Sequence, residues 1–281
     1  MTPAASGEGP IDLHTHSTAS DGMLAPAQLV ALAGERGLSV LALTDHDTIA
    51  GVAAAALAAA AIGLRFIPGV ELSTYVEAGE VHMLGYFIDV ANPPLLAALG
   101  QFREAREARA ETMAARLSAA GAPISADRVV ALAAGGSIGR PHVARALVEA
   151  GHASSINDAF ERWLVRGRPG YVERFKLTPP DAVRLIREAG GVPVLAHPHS
   201  VADLPDLLPE LVAAGLGGIE CYYGDYDEPR KREYLDWAEQ YDLVATGGTD
   251  FHGTGVAHRR PLGGTVVPPE CVEALAARRA S

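Results

Sequence analysis

An α/β barrel carrying a helical insertion is the fold this sequence predicts, and three observations carry the prediction. Short apolar runs alternate with helical patterns. The alternation gives way to helices alone between about Pro93 and Gly170, then resumes. Five of the apolar runs end in a histidine or a carboxylate. Barrels of this class assemble their active sites at the C-terminal ends of the strands.

The elements follow in order. Ile11-Asp12-Leu13 reads as a first strand that delivers His14-x-His16, whose side chains at i and i+2 face the same side of an extended chain. A helix is expected from Pro26 to Gly37, with proline at its start and glycine at its C-cap. Val40–Thr44 then leads to Asp45-His46-Asp47, a helix near Ile49–Ile62 ends at Gly63, Phe66–Val70 leads to Glu71, and Val81–Phe87 follows. This period suits βα units and a mostly parallel sheet.

Between Pro93 and Gly170 the sequence predicts Leu95–Ala120 as a long helix or a pair. Further helices are predicted over Ser125–Ala134, Arg140–Ala150 and Ser155–Arg166. Val192–Leu195 restores the alternation and precedes His197, Gly218–Tyr223 follows, and Leu243–Gly247 precedes Asp250 and His252. The expected organisation is a barrel formed by residues 1–92 and 171–281, with 93–170 inserted on one loop above the strand ends.

Composition limits the functional classes. The net charge of −11 argues against a broad grip on nucleic-acid backbone, and no DNA-binding surface is expected. Cys221 and Cys271 are the only cysteines, as expected of a reducing, cytoplasmic setting. Met1–Pro10 has neither a charged nor an apolar leader pattern, and the alanine-rich Thr48–Gly63 reads as a barrel helix, so neither secretion nor a membrane span is expected. No Gly-x-x-x-x-Gly-Lys phosphate loop occurs. Imidazoles and carboxylates without thiolate suit hydrolytic Zn, Mn or Fe.

Taken in order, Asp12-Leu13-His14-Thr15-His16, Ser20-Asp21-Gly22, Thr44-Asp45-His46-Asp47-Thr48, Gly69-Val70-Glu71, His82-Met83-Leu84-Gly85-Tyr86, Ala196-His197-Pro198 and Gly248-Thr249-Asp250-Phe251-His252-Gly253 resemble the polymerase and histidinol phosphatase (PHP) family. The resemblance spans nearly the whole chain outside the insertion. It implies a distorted (β/α)7 barrel, TIM-like, with two to three divalent ions, manganese foremost and iron or zinc as alternatives. It implies one ion held by His14, His16, Glu71 and Asp250, a second by Glu71, His82 and His197, and a third by Asp21, His46 and His252. Asp21 stands near where several family members have histidine. Glu71, Asp250 and His197 would carry the chemistry, in which a hydroxide shared by two ions attacks phosphorus and the third ion neutralises phosphoryl oxygens. Asp45 and Asp47 are expected to orient a ligand or cap the loop rather than bind metal.

The insertion offers Gly136-Ser137-Ile138-Gly139-Arg140-Pro141-His142 and Arg166-Gly167-Arg168-Pro169-Gly170-Tyr171-Val172. Pro141 is expected at the first helical position, which puts Arg140 and His142 at a terminus that favours an anion. Ser137, Arg140, His142 and Arg168 are the expected substrate-phosphate contacts, with Arg166 of similar standing. Similar segments occur in the family branch that removes phosphate from nucleoside 3′,5′-bisphosphates and trims 5′ ends of short RNA, although lysine is commoner there at the position of Arg168. A small phosphorylated substrate, a nucleotide or short RNA, is therefore expected. The alternatives are a histidinol-phosphate phosphatase, which the helical lid between Tyr86 and Ala196 disfavours, and a non-catalytic metal-binding module, which all nine filled ligand positions disfavour.

Other polar residues have plainer expectations. His152 reads as a surface or capping residue, His199 as an exposed loop residue near the site, and His258 with Arg259 and Arg260 as a candidate reach toward phosphate. Tyr222, Tyr223 and Tyr226 read as packing at the barrel rim, with a base-binding wall as the alternative. Arg103, Arg106, Arg109 and Arg116, spaced among glutamates, read as a solvated helix face.

Overall fold

The computed structural model describes residues 9–77, 79–133, 136–173, 177–224, 226–253 and 261–279; His258, Arg259 and Arg260 lie outside them. Seven strands stand side by side in chain order: β1 (Ile11–Asp12), β2 (Val40–Leu43), β3 (Arg65–Val76), β4 (Gly79–Tyr86), β5 (Val192–Leu195), β6 (Gly218–Tyr223) and β7 (Val244–Gly248). A parallel bridge between Thr15 and Phe251 brings the last strand back to the first, and the barrel nearly closes. Asp12 draws the same seam together. Its carboxylate accepts the Thr249 N–H at 2.9 Å, the Thr249 hydroxyl at 2.6 Å and the Gly263 N–H at 2.8 Å. At Gly248 a Cβ would lie 2.5 Å from the backbone nitrogen of His14, so the approach of β7 to His14 needs glycine.

The sheet departs from the parallel expectation at one strand. β1, β2 and β3 pair in parallel, as do β5, β6 and β7, but β4 is antiparallel to both its neighbours. The reason is local: β3 runs on past Glu71 to Val76 and returns directly as β4, in register from Gly69 opposite Tyr86 to Val76 opposite Gly79. A hairpin return has no crossover helix and must be antiparallel. His82 therefore reaches the barrel mouth from within an antiparallel strand, opposite Ser73 and two residues on from Glu71 along the paired β3.

Around the sheet lie α1 (Pro26–Glu35), α2 (Val52–Ile62), α7 (Pro179–Glu188), α8 (Leu204–Ala214), α9 (Glu228–Gln240) and α10 (Glu270–Ala277). Between β4 and α7 come α3 (Pro93–Ala119), α4 (Ala126–Leu132), α5 (Arg140–Glu149) and α6 (Ile156–Ala159), the last continuing as a π-helical turn over Phe160–Leu164. Side chains of Asn92, Ser125, Ser155, Thr178 and Asp227 cap their helices, and Gly63 ends α2 in the left-handed region at φ 71°.

α3 is one continuous helix with two partners. Leu95, Leu99 and Phe102 share a core with Ile186, Leu208 and Ile219 on the barrel side, whereas Met113 and Leu117 share one with Val129, Val143, Leu147 and Leu164 of the helical segment. Where the helix crosses from one core to the other, its arginines depart from the solvated face expected of them. Arg106 and Arg109 are buried, and Arg116 donates to the Tyr171 carbonyl; Arg103 alone of the four is simply exposed. Among the described residues no helix is long and apolar enough to cross a membrane.

Candidate metal centre

Glu71 stands at the centre of the barrel mouth, fully buried. Its Oε2 lies 3.2 Å from His14 Nε2, His16 Nε2 and His46 Nδ1, and its Oε1 lies 2.8 Å from His82 Nδ1 and 3.1 Å from His197 Nε2. Asp250, at left-handed φ 52°, sets Oδ1 3.3 Å from His14 Nε2, 3.1 Å from His16 Nε2 and 3.5 Å from His252 Nδ1. Asp21 completes the far side, 3.2 Å from His252 Nε2, 3.9 Å from His46 Nε2 and 4.0 Å from His16 Nδ1. All nine residues expected from the sequence thus converge.

Among the described residues three donor groups emerge: His14, His16, Glu71 and Asp250; His16, Asp21, His46 and His252; and His46, Glu71 and His82. The first matches the expected set. In the second, His16 joins the expected Asp21, His46 and His252 because its two ring nitrogens face opposite carboxylates. His46 likewise turns Nδ1 to Glu71 and Nε2 to Asp21, which enters it in the third group, while His197 approaches only the outer oxygen of Glu71.

The donor set fits metal ions on grounds internal to the structure. Both ring nitrogens of His16 and Nδ1 of His46 are buried without a hydrogen-bond partner, although His16 Nε2 and His46 Nδ1 each lie 3.2 Å from a carboxylate oxygen. Such lone pairs are costly unless something between the atoms is bound. Charge points the same way. Burial alone would push Glu71 up, yet the imidazoles of His46, His14 and His82 hold its carboxyl well below the usual range. Asp250 and Asp21 are held down against burial in the same manner, by His14 and His252 and by His252 and His46. The imidazoles divide: burial pushes His46 down to about 3, whereas against burial the surrounding carboxylates raise His14, His16 and His252, the last to about 10. The carboxylates are thus held in the ionised form that binds divalent ions.

One supporting residue, Glu220, is not singled out by the sequence, and Tyr223 departs from the rim packing expected of it. Glu220, buried on β6, lies 3.1 Å from His14 Nδ1, which leaves Nε2 toward the centre, and it accepts the His197 N–H at 2.7 Å. A carboxylate behind a ligand imidazole is the common orienting arrangement. Tyr223 donates to Asp250 Oδ2 at 2.8 Å. Glu220 and Tyr223 are three residues apart and serve the same site because β6 shifts register between Glu220 and Tyr222. A bulge of this kind breaks the period-two rule and leaves no residue signature. Asp45 and Asp47 behave as expected: Asp45 accepts from the Ser17 N–H and from the Ser17 and Ser20 hydroxyls, and Asp47 accepts the Ser73 N–H at 2.7 Å.

A 380 Å³ cavity opens beside this cluster, lined by Tyr75, Glu80, His82, Arg140, Arg166, Tyr171, His197 and Ser200 among others. Arg140 donates to both oxygens of Glu80 at 3.1 and 3.3 Å. Arg140, not Pro141, is the first residue of α5, and Pro141 is the second. His142 is buried, and its Nδ1 accepts the Gly139 N–H at 3.0 Å, capping the helix. Ser137 has a buried hydroxyl without a partner. Of the second pair, Arg166 lines the cavity; Arg168 is exposed and outside the lining, because the turn closed by its N–H to the Val165 carbonyl carries it away. His199 is exposed, 3.1 Å from the Tyr226 hydroxyl, and His152 bonds the Pro123 carbonyl far from the cluster. Tyr222 packs against the core and Tyr226 against Tyr234, as expected of a rim.

The PHP domain profile matches residues 12–165. The chain is 38% identical over 266 residues to the 3′,5′-nucleoside bisphosphate phosphatase of Chromobacterium violaceum, covering 93% of each. It is 41% identical over 251 residues to the 5′-3′ exoribonuclease Rnm of Escherichia coli, covering 86% of this chain and 84% of that one. A crystal structure from Bifidobacterium adolescentis, provisionally named a metal-dependent phosphoesterase, superposes with a TM-score of 0.88 at 32% identity over 98% of both chains. With its metal-type donor cluster at the mouth of a seven-stranded barrel, the chain belongs to the PHP domain family.

Proposed function

We propose that this PHP-family hydrolase of phosphoric esters releases the 3′-phosphate of nucleoside 3′,5′-bisphosphates and trims the 5′ end of short RNA, in the cytoplasm. The observation that carries the reading is the juxtaposition of two features: nine converging donors with orphaned imidazole nitrogens, and a cavity that shares His82 and His197 with them and adds Arg140 and Arg166. Two to three divalent ions, manganese foremost, would be held by His14, His16, Asp21, His46, Glu71, His82, His197, Asp250 and His252. When bound they supply positive charge to phosphoryl oxygens and acidify water near neutral pH.

The chain's own residues then divide the remaining work. Glu220 holds the His14 ring and the His197 backbone, Tyr223 holds Asp250, and Arg140 with His142 and Ser137 offers a second anion site at the N-terminus of α5. Histidinol phosphate has one phosphate and gives that second site nothing to hold. Phosphate release should be measured across nucleoside bisphosphates, 5′-phosphorylated oligoribonucleotides and histidinol phosphate with manganese present. Bisphosphates and oligoribonucleotides should be turned over with the highest kcat/KM. Preference for histidinol phosphate, or no metal-dependent release from any of them, would sink the reading.

A further inference from the structure

One buried side chain joins the helical segment to the loops of the metal centre. Arg106 sits in α3 where the helix passes from the barrel core to the second core, and it is only 8% exposed. Its Nε donates to Asp47 Oδ2 at 3.0 Å, and one terminal nitrogen bonds the same oxygen and the Ser73 hydroxyl. The other terminal nitrogen donates to the Ile138 carbonyl at 2.8 Å. The planar fork of a guanidinium reaches three segments at once, which an ammonium cannot do.

The contacts to Asp47 and Ile138 lead on to the site. Asp47 donates its N–H to the Glu71 carbonyl at 2.8 Å, and Glu71 donates its own to the Asp45 carbonyl at 3.1 Å. His46 is thereby clamped between two residues locked to β3, at Asp47 in a left-handed conformation of φ 50°. On the other side, Ile138 belongs to the loop that carries Ser137, Arg140 and His142. Ser137 donates its N–H to the Ala19 carbonyl at 2.8 Å, and a Cβ on Gly136 would meet the Thr18 and Ala19 carbonyl oxygens at 2.6 Å. The loop is therefore pressed between Arg106 and the turn that presents Asp21.

We propose that Arg106 is a positioning residue that couples the two halves of the site, fixing His46 and Glu71 for metal and seating the 136–142 loop against them. The proposal rests on the reading of the histidine–carboxylate cluster as a divalent-metal centre. Metal affinity and loop seating then depend on one guanidinium, and loosening it weakens metal binding without touching a ligand.

The test is calorimetric titration of Mn²⁺ into metal-stripped full-length protein, with thermal melting in parallel. Arg106→Lys should weaken Mn²⁺ binding by about tenfold or more at one site, the range typical for groups that orient ligands. Arg109→Lys is the control, because Arg109 is equally buried on the same helix but its Nε reaches the Val172 carbonyl instead. It should bind Mn²⁺ as the wild type does even where its melting temperature falls. Asp47→Asn attacks the other end of the contact and carries the test if the arginine variant does not fold. The double variant should lose no more affinity than the worse single. Wild-type Mn²⁺ affinity in Arg106→Lys or Asp47→Asn, or an equal loss in Arg109→Lys, would overturn the coupling. Absence of Mn²⁺ binding by the wild-type chain would overturn the metal reading along with it.

Discussion

The barrel mouth and the edge of the helical segment hold their polar residues in different ways. At the mouth, donors from separate strand ends meet on Glu71, and backbone rungs such as His16 N–H to the Phe251 carbonyl and Asp47 N–H to the Glu71 carbonyl fix them without substrate. At the edge, two of the candidate phosphate contacts are already engaged with the protein: Arg140 with Glu80, His142 with Gly139. The mouth is therefore built to wait for ions, and the edge must exchange partners when an anion arrives. On the proposed function, chemistry would be anchored in the rigid part of the molecule and selectivity in the adjustable part, as a preorganised site requires.

The largest effect should come from the residue on which the mouth converges. Glu71→Gln keeps the shape of the side chain but removes the charge facing five imidazoles, and phosphate release should fall on the order of ~10³-fold or more. His152→Ala, on a residue bonded to the Pro123 carbonyl, should leave release nearly unchanged. Steady-state release from a nucleoside bisphosphate reads both, and similar mild losses would dismiss Glu71 as the hub. Chelation should act on stability as well as activity. An ion held at a hundredfold its dissociation constant contributes about 2.7 kcal/mol, or roughly 5–10 °C of melting temperature for a chain of this size. A melting curve indifferent to chelator and Mn²⁺ would refute a metal-organised mouth.

The contrast also explains what was legible in the sequence. Seven of the nine candidate ligands are legible because they follow an apolar run, and strand ends in a barrel share one rim; Asp21 and His82 are legible only through the family resemblance. Glu220 and Tyr223 are not, because only the register shift in β6 turns both toward the rim. Arg106 and Arg109 looked like a solvated stripe, since helical spacing among glutamates is the same whether a second core covers it or not. Antiparallel β4 was hidden for a similar reason: an apolar run does not declare its direction.

At the edge the effects should be smaller. A charge-assisted hydrogen bond contributes roughly 1.5–3 kcal/mol, so Arg140→Ala should lower kcat/KM for a nucleoside 3′,5′-bisphosphate about ten- to a hundredfold. Because Arg140 gives up Glu80 to reach phosphate, the lower end is expected. An aryl phosphate, with no second phosphate, should be little affected. An equal fall on both substrates would place Arg140 at the reacting phosphate and remove the distinction between mouth and edge.

The finest test separates two arginines two residues apart. Arg166 lines the cavity beside Arg140, whereas the turn over 165–168 carries Arg168 into solvent. Arg166 is itself exposed, so water screens its contact, and an exposed ion pair is worth about 0.2–1 kcal/mol. Arg166→Ala should then lower kcat/KM for the bisphosphate by roughly 1.4- to 5-fold. Arg168→Ala, a surface change away from the lining, should stay within about twofold of wild type. Measuring both at two ionic strengths sharpens the result, since added salt should shrink the Arg166 effect and leave Arg168 where it was. If Arg168 proves the more costly of the two, the turn must rearrange when substrate enters, and the edge is more adjustable than the exchange at Arg140 alone requires.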